Sequence, residues 1–512
     1  MEYSIKKDNC PVCETVLEAA SEQPVDLDFS LPDYCPDIER ILKCRMCPSV
    51  TSKSITGDRL DVDGVTVIRL YYLDSKKQAV RLCEHTSPFS CSFTLKNPRP
   101  DLTACVKLRT DYLNCRAVSP RRLDIHGAFS VLASVYSKTN REYCSEIEGE
   151  DIQQRTHSEL VSVLSGIGQQ QFSVSEVLDI GQGKSSPESI LRSELAFHLG
   201  DSRAIDDKLM LKGEAVLRVL YVTDIETGAQ DYMSFNIPVS QVIDVQGISD
   251  NTINDISVDV LNFDVTLKSE FDESSTLITL DARLLATVFA FTEQDAGIVD
   301  DAYSTNFELE LAYRPVPVTR LITVFDMNSS VKDEINTGDG GITKVIDLWC
   351  DSISSIASSE NGKLNIRGKL NCCVLALDGS GIPFCSEKAI DFSLSPDCPE
   401  ISGAVNAKPD ISVPSLSFRI TGDNSIELKA DIRVRAAVYE TRTCRAVVSA
   451  EGLEDRRREK DFTAALTLYY ADAGESLWNI ARLYCTSVEA VKLENNMTDD
   501  VIQARGMVLI PM

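Results

Sequence analysis

The amino-acid sequence predicts a mainly β protein, in which three similar domains are followed by a small α+β module. Three observations support this fold class. A strand with alternating apolar residues around a central glycine occurs three times, and a second alternating strand recurs downstream of each copy. Near residue 464 the pattern changes to strand, helix, helix, strand. Each repeated domain is therefore expected to be a β-sandwich or a β-barrel.

The first repeated strand centres on Gly64, Gly213 and Gly368, which are 149 and 155 residues apart. A period of two is typical of a strand with one buried face, and a glycine inside it indicates a bulge or the close approach of another segment. The predicted buried faces are Leu60, Val62, Thr66, Ile68, Leu70 and Tyr72; Leu209, Leu211, Ala215, Leu217, Val219 and Tyr221; and Leu364, Ile366, Leu370, Cys372, Val374 and Ala376.

The second repeated strand has its apolar faces starting at Leu123, Ile278 and Ile426, and its equivalent positions 127, 282 and 430 are 155 and 148 residues apart. A phenylalanine also follows each central glycine, on the next expected strand, at Phe89, Phe235 and Phe392. Unrelated β-rich domains also alternate, but two separate anchors with nearly the same period disfavour that explanation. The sequence indicates a tandem array of whole domains, because the period is far longer than that of a solenoid.

These anchors predict five segments along the chain. A run of mixed charge at 454–460 predicts a solvated connector or short helix before the last module. The predicted segments are a first β-rich domain at 1–155, a second at 156–305, a third at 306–445, a charged linker at 446–463 and the C-terminal module at 464–512.

Charge and composition narrow the classes of function. The net charge of -27 argues against a nucleic-acid partner, which requires clustered Lys and Arg, and against an anionic membrane surface. The first residues do not resemble a signal peptide, so we expect a cytoplasmic protein. Seventeen cysteines in such a protein are expected to be reduced and mostly buried thiols.

The C-terminal module resembles the LysM family in the sequence Gly474-Glu475-Ser476-Leu477-Trp478, in Asn495, and in the final Ile510-Pro511. Ser487 is expected to cap its second helix. Glu475 stands where the family usually has Asp, and the glycine before the last strand is displaced to Gly506. Trp478 and Ile480 are interpreted as core residues, because so small a domain needs every apolar residue.

The LysM resemblance implies a shallow groove that binds N-acetylglucosamine-containing glycans. The backbone amides and small polar side chains of such a groove suit sugar hydroxyl and acetamide groups, while Leu477 and Met497 offer apolar contact. Carried over by position, the groove residues are Gly474, Glu475, Ser476, Leu477, Asn495, Asn496 and Met497.

The whole chain resembles the SpoVID/SipL-like proteins of endospore-forming bacteria, which carry repeated SPOCS domains and a C-terminal LysM. The segment from Leu31 to Leu42 and the glycine-centred strands carry this resemblance, and 187–191 opens the second copy in a similar way. It implies a non-enzymatic scaffold in spore coat morphogenesis, at the forespore surface on the mother-cell side. The implied partners are coat morphogenetic proteins, including a coat-basement ATPase, with glycan as a further ligand. The alternative is a peptidoglycan-binding protein of the cell wall or the extracellular space.

No residue pattern nominates a catalytic site or a cofactor. The pairs Cys10 with Cys13 and Cys44 with Cys47 have the CxxC spacing of zinc knuckles. Their separation exceeds that of a zinc ribbon, and the second pair is expected beside a helix, so free thiols are favoured over a metal site. The adjacent carboxylates Asp300 and Asp301 lack calcium-loop spacing and are interpreted as a solvated turn.

Overall fold

The computed structural model describes residues 1–76, 79–97, 99–180, 184–269, 276–337, 340–401, 404–458 and 466–511. The prediction of a mainly β protein is confirmed, since the helices among these residues belong to the C-terminal module. The segment 459–463 of the predicted linker lies outside the described residues.

The first repeat consists of two antiparallel three-stranded sheets packed face to face. The outer sheet has the order β2-β3-β4, and the inner sheet has the order β1-β6-β5. Their strands are β1 Ser4–Ser30, β2 Ile38–Thr56, β3 Arg59–Asp74, β4 Val80–Thr94, β5 Leu102–Ser119 and β6 Arg122–Glu148.

The second and third repeats have the same arrangement. The outer sheets are β8-β9-β10 and β14-β15-β16, and the inner sheets are built on the pairs β7-β12 and β13-β19. The second repeat contains β7 Ile152–Asp179, β8 Ser189–Ile205, β9 Lys208–Asp224, β10 Ala229–Asp244, β11 Ile253–Ser269 and β12 Thr276–Ser304. The third contains β13 Phe307–Asn336, β14 Lys344–Glu360, β15 Lys363–Leu377, β16 Pro383–Leu394, β17 Ala404–Ala407, β18 Asp410–Gly422 and β19 Ser425–Arg457.

The predicted apolar faces are the cores of these sandwiches. The alternating residues of β3, β9 and β15 are buried, and they pack against the alternating residues of β6, β12 and β19. Because the side chains of a strand alternate between its two faces, this pattern specifies the buried face of each strand, and the structure places each core between an outer and an inner sheet.

Each central glycine leaves space for an aromatic ring from a neighbouring strand. This is the close approach that a glycine inside a strand predicts. A Cβ on Gly64 would lie 2.3 Å from the ring of Phe89, and one on Gly368 would lie 2.4 Å from Phe392. In the second repeat the ring over Gly213 belongs to Phe197, at 2.5 Å, and Phe235 instead faces Leu217 across β10 and β9. The same close contact is thus made from the opposite neighbouring strand.

The three repeats close into a ring rather than forming an extended array. The long pairs β1-β6, β7-β12 and β13-β19 meet along a shared apolar column, and the Tyr3 amide donates to the Ala450 carbonyl at 3.0 Å, which joins the first repeat to the third. At mid-height all six strands contribute, through Cys10, Tyr143, Val161, Ala296, Ile298, Val316, Val318 and Ala446.

The outer sheets of the repeats also meet, at three equivalent bulges. Lys43, Arg192 and Asp347 each pair with the residue seven positions after the central glycine, and a register shift precedes each of them. Arg192 donates to the Asp347 carboxylate from Nε at 2.9 Å and from Nη2 at 3.1 Å, and both side chains are buried. Equivalent positions thus carry opposite charges where the second and third repeats touch.

The first repeat joins this junction through its own cations. Lys43 and Arg45 contact the Asp351 carboxylate at 3.0 and 2.5 Å. These cations hold the pKa of Asp351 below its ordinary value, although burial acts in the opposite direction.

One predicted boundary is wrong in the structure. Residues 446–457, expected to belong to a charged linker, form the end of β19 and pair with the start of β13, where Arg456 contacts Glu308. Charged side chains of opposite sign on facing strands are compatible with an exposed β-ribbon, so mixed charge did not indicate a break in the structure.

We predict that Asp347→Ala lowers the free energy of unfolding by about 3 kcal/mol, because among the described residues it leaves the buried Arg192 guanidinium with Glu194 as its remaining ionic partner. Urea denaturation measures the change. Glu146→Ala, which removes an exposed ion pair with Lys6, serves as the control and is expected to cost less than about 1 kcal/mol. Equal losses in the two variants would contradict a structural role for the buried pair.

Candidate functional site

The C-terminal module, residues 466–511, packs two short helices on a two-stranded antiparallel sheet. Its elements are β20 Leu466–Ala471, α1 Leu477–Leu483, α2 Val488–Asn495 and β21 Gly506–Pro511. The Ser487 hydroxyl accepts the Ala490 amide at 3.1 Å, which confirms the predicted helix cap. Leu477, Ile480, Val491, Val508 and Ile510 form its small core.

Two loops, 472–476 and 496–505, lie side by side at one end of the module. The Gly474 amide donates to the Ile502 carbonyl at 2.8 Å, and the Ile502 amide donates to the Glu475 carbonyl at 2.8 Å. Ser476 forms a β-bridge with Val501. The backbone thus holds together the two loops on which five of the seven predicted groove residues lie.

Two of the predicted groove residues have structural roles. Leu477 is fully buried. The Asn495 amide group donates to the Leu509 carbonyl at 2.7 Å and to Val491 at 2.8 Å, and its oxygen accepts the Leu509 amide at 2.7 Å. These bonds tie α2 to β21, so the Asn495 side chain is occupied inside the module.

Glu475 is also engaged within its loop. Its carboxylate accepts the Tyr469 hydroxyl at 3.0 Å and the Asp472 amide at 3.3 Å. The hydrogen bond with Glu475 raises the pKa of Tyr469. This carboxylate therefore braces the loop that precedes α1.

The remaining predicted groove residues are open to a ligand to different degrees. Gly474 and Asn496 are exposed, whereas Ser476 and Met497 are half-buried. Gly474 has φ of 92° and Asn496 has φ of 51°, backbone conformations that favour Gly and Asn. A ligand between the loops would therefore meet backbone at Gly474 and a free amide at Asn496, beside the partly exposed Met497.

The module docks on the second repeat, at the end of the two-stranded ribbon formed by β7 and β12. We call the docking surface, which is formed by Asp301, Ala302 and Tyr303, the seat. The Asp301 carboxylate accepts the Trp478 indole N–H at 3.0 Å and Arg482 Nη1 at 2.9 Å. Arg482 Nη2 also donates to the Ala302 carbonyl at 3.2 Å. One carboxylate thus accepts from two side chains one helical turn apart on α1.

Tyr303 completes this seat. Its hydroxyl donates to the Thr486 carbonyl at 2.7 Å, and its ring meets the Trp478 ring edge to face at 4.8 Å. Burial raises the pKa of Tyr303, so the hydroxyl keeps the proton that it donates. The guanidinium of Arg155 lies 5.8 Å from the centre of the Trp478 ring.

The contacts at the seat show that the interpretation of Asp301 was wrong and give Trp478 a second role. Asp301 was expected in a solvated turn, but its side chain is only 14% exposed and it anchors the module. Trp478 is buried as predicted, yet its polar N–H is used between domains. A polar handle on an otherwise buried indole is the signal that could have indicated an interface.

The seat and the groove use different residues of the module. Contacts with the second repeat extend along α1 from Trp478 to Arg482 and reach Thr486, in the loop that follows the helix. The two groove loops lie at the start of α1 and beyond the end of α2. Docking therefore leaves Gly474 and Asn496 exposed.

The two CxxC pairs do not come together. Cys10 and Cys13 lie on β1 of an inner sheet, whereas Cys44 and Cys47 lie on β2 of an outer sheet, which replaces the expected neighbouring helix with a strand. Within the described ranges, no group of three or more His, Cys, Asp or Glu side chains could hold a metal ion.

Comparison with protein families identifies two kinds of domain. The SipL SPOCS domain matches residues 37–118 and 187–268, and the LysM domain matches residues 471–511. The two SPOCS matches span β2 to β5 and β8 to β11, which are equivalent strands of the first and second repeats. Both are binding or scaffold domains rather than enzyme families.

Two further comparisons gave nothing: no curated protein and no solved structure matches the chain. In the part of the chain that the structure describes, none of the helices has the length and apolar character needed to cross a bilayer.

We predict that Asp301→Ala releases the C-terminal module from its seat, since it removes two hydrogen bonds to a charged carboxylate, together about 3–6 kcal/mol. Trp478 then becomes hydrated, and its fluorescence emission shifts to longer wavelength. Asp295→Ala, on the same strand but accepting a hydrogen bond from Ser158 within the ribbon, is the matched control. An unshifted spectrum for Asp301→Ala, or the same shift in both variants, would contradict the proposed anchor.

Proposed function

Starting from its SPOCS and LysM domains, which are the architecture of the SpoVID/SipL-like spore morphogenesis proteins, we propose that this chain is a non-enzymatic scaffold of the endospore envelope. In this proposal the ring of repeats binds coat morphogenetic proteins, and the LysM domain docks to a coat protein or to N-acetylglucosamine-containing glycan. The protein acts at the forespore surface, on the mother-cell side. At the coarser level, the two domain types fit a sporulation-related, peptidoglycan- or glycan-binding scaffold.

The observation that carries the proposal is the fixed position of the LysM domain on the ring. Asp301 and Tyr303 hold α1 and the loop that follows it, while Gly474 and Asn496 in the groove loops stay exposed. A docking module that is held rigidly loses less entropy on binding than one on a free tether. This arrangement suits a scaffold that links its ring to a second surface at a set distance.

The net charge of -27 supports protein partners with basic surfaces over nucleic acid. Carboxylates also stand beside the groove: Asp472 pairs with Arg505 at 3.1 Å, and Asp500 pairs with Lys492 at 2.6 Å. Asp499 accepts a hydrogen bond from Gln503. A basic protein segment could exchange with these local cations, whereas a neutral sugar would rely on hydrogen bonds and on contact with Met497.

The second candidate, a peptidoglycan-binding protein of the cell wall or extracellular space, is favoured by the LysM match alone. Both candidate functions use the same groove of the LysM domain. They differ in the ligand that is bound and in where the protein is located. A test must therefore separate glycan binding from forespore localisation.

The groove residue Asn496 offers a clean test in the full chain. Asn496→Gly removes the exposed amide but keeps a residue that tolerates φ of 51°. Its matched control is Asn361→Gly, the same change at φ of 51° in the exposed turn between β14 and β15, far along the chain from the groove. If one neutral hydrogen bond of about 1 kcal/mol is lost, affinity for the ligand falls about fivefold.

Two measurements use these variants. For the scaffold, a fluorescent fusion of the unaltered chain and of Asn361→Gly should form a ring around the forespore in sporulating cells, and Asn496→Gly should weaken it. A diffuse signal from the unaltered chain would count against the scaffold. Sedimentation with purified peptidoglycan that Asn496→Gly weakens and Asn361→Gly preserves, without a forespore ring, would support the wall-binding candidate instead.

A further inference from the structure

The third repeat places cysteine side chains opposite each other on neighbouring strands. All seventeen cysteines lie among the described residues, and all are free thiols. On the outer sheet β14-β15-β16, four of them are close together: Cys350 on β14, Cys372 and Cys373 on β15, and Cys385 on β16. Cys372 and Cys373 point to opposite faces of the sheet, since they are consecutive residues of one strand.

Cys350 and Cys372 are directly paired residues of the antiparallel strands β14 and β15. The Cα atoms of such partners lie about 4.5–5.5 Å apart, and both side chains point to the same face of the sheet. A disulfide requires Cα atoms about 4.4–6.8 Å apart. The two thiols are also within hydrogen-bonding reach of each other, where Cys372 belongs to the core of the third repeat and Cys350 packs against it. The strands are therefore already placed for a bond between them.

Cys373 and Cys385 differ in one respect. Their thiols are also in contact, but Cys373 pairs with Glu387 and Cys385 pairs with Leu375, so the two cysteines are diagonal neighbours. Diagonal Cα atoms lie about 7–8 Å apart, beyond the usual disulfide range. The Cys373–Cys385 pair therefore serves as an internal control in the same sheet.

We propose that Cys350 and Cys372 are a site of reversible disulfide formation that locks the hairpin of β14 and β15. The oxidant is a low-molecular-weight disulfide, and the Cys373–Cys385 pair does not react in this way. The proposal rests on the strand register of the third repeat and is independent of the function proposed for the LysM domain.

The reaction is a pair of thiol–disulfide exchanges. The partly exposed Cys350, as thiolate, attacks one sulfur of the small disulfide, forms a mixed disulfide and releases one small thiol. The thiolate of the buried Cys372 then attacks Cys350 Sγ, forms the intramolecular bond and releases the second small thiol. Two protein thiols are oxidised, one small disulfide is reduced to two thiols, and the protons of both cysteines pass to the released thiolates.

Access and protonation set the rate of this reaction. Cys350 is half-buried, whereas Cys372 is fully buried. Hydrogen bonding with Cys372 and burial raise the pKa of Cys350, so its thiolate fraction is small at neutral pH and increases as the pH rises. The disulfide is therefore expected to form slowly at neutral pH and faster in alkaline buffer.

The disulfide between Cys350 and Cys372 would lie close to the contact between the outer sheets of the first and third repeats. Asp351, the bulge residue next to Cys350, holds Lys43 and Arg45 of the first repeat. A disulfide at Cys350 restricts the backbone on which this carboxylate is presented. Oxidation thus stiffens the sheet where the third repeat meets the first.

The test incubates the folded, full-length chain with oxidised glutathione, alkylates the remaining thiols and maps the peptides without reduction. The expected result is the loss of two of the seventeen thiols and one cross-linked peptide pair containing Cys350. Cys373→Ser should keep this cross-link, and Cys372→Ser should abolish it. Dithiothreitol should restore all seventeen thiols, which shows that the protein stayed intact.

Three outcomes would overturn the proposal. The first is a full set of alkylated thiols after oxidation at alkaline pH, and the second is a stable glutathione adduct on Cys350 without a cross-link. The third is a cross-link that survives Cys372→Ser, since it would assign the bond to a different pair. Cys398→Ser, a buried core thiol elsewhere in the third repeat, controls for general loosening of the core and should leave the cross-link unchanged.

Discussion

The ring depends on apolar strand faces that no repeat can cover by itself. In each repeat one face of the central strands forms the sandwich core, but consecutive residues such as Leu220, Tyr221 and Val222 are all buried. Both faces of a strand are then withdrawn from water, which requires a second covering surface. The neighbouring repeats supply it, at the junction of the outer sheets and along the column of inner ribbons.

Charged residues determine which repeats pair with each other across this apolar contact. The residues that follow the equivalent bulges are Lys43, Arg192 and Asp347, so three identical copies could not reproduce the pairing. A buried ion pair adds little net stability over apolar residues of similar size, whereas a mismatched charge at such a position is costly. The divergence of the three repeats is therefore part of the closed ring, because it lets the third repeat meet the cations of the other two.

The LysM domain, at the end of the ribbon formed by β7 and β12, also depends on a neighbouring repeat to complete its apolar core. Its very small core is supplemented by Tyr303 of the second repeat, which packs among the module's own apolar residues. The contact that completes this core also orients α1 and leaves the groove loops outward. Structural support and presentation of the groove thus come from a single interface.

The sequence by itself determined the β class, the three copies of the glycine-centred strand, and the residues of each sandwich core, because a period of two specifies which face is buried. It also determined the strand–helix–helix–strand module and the cap at Ser487. These features depend on neighbours along the chain or on one repeated pattern.

Only the tertiary structure decided the closed ring, the seat at Asp301 and Tyr303, and the structural roles of Asn495 and Leu477. It also showed that the charged run at 454–457 belongs to a strand. These outcomes depend on partners more than a hundred residues away or on the far side of a small module. Charge and polarity in sequence indicate an exposed residue when the partner is unknown, and the Asp301 side chain is largely withdrawn from water because Trp478 and Arg482 reach it from another domain.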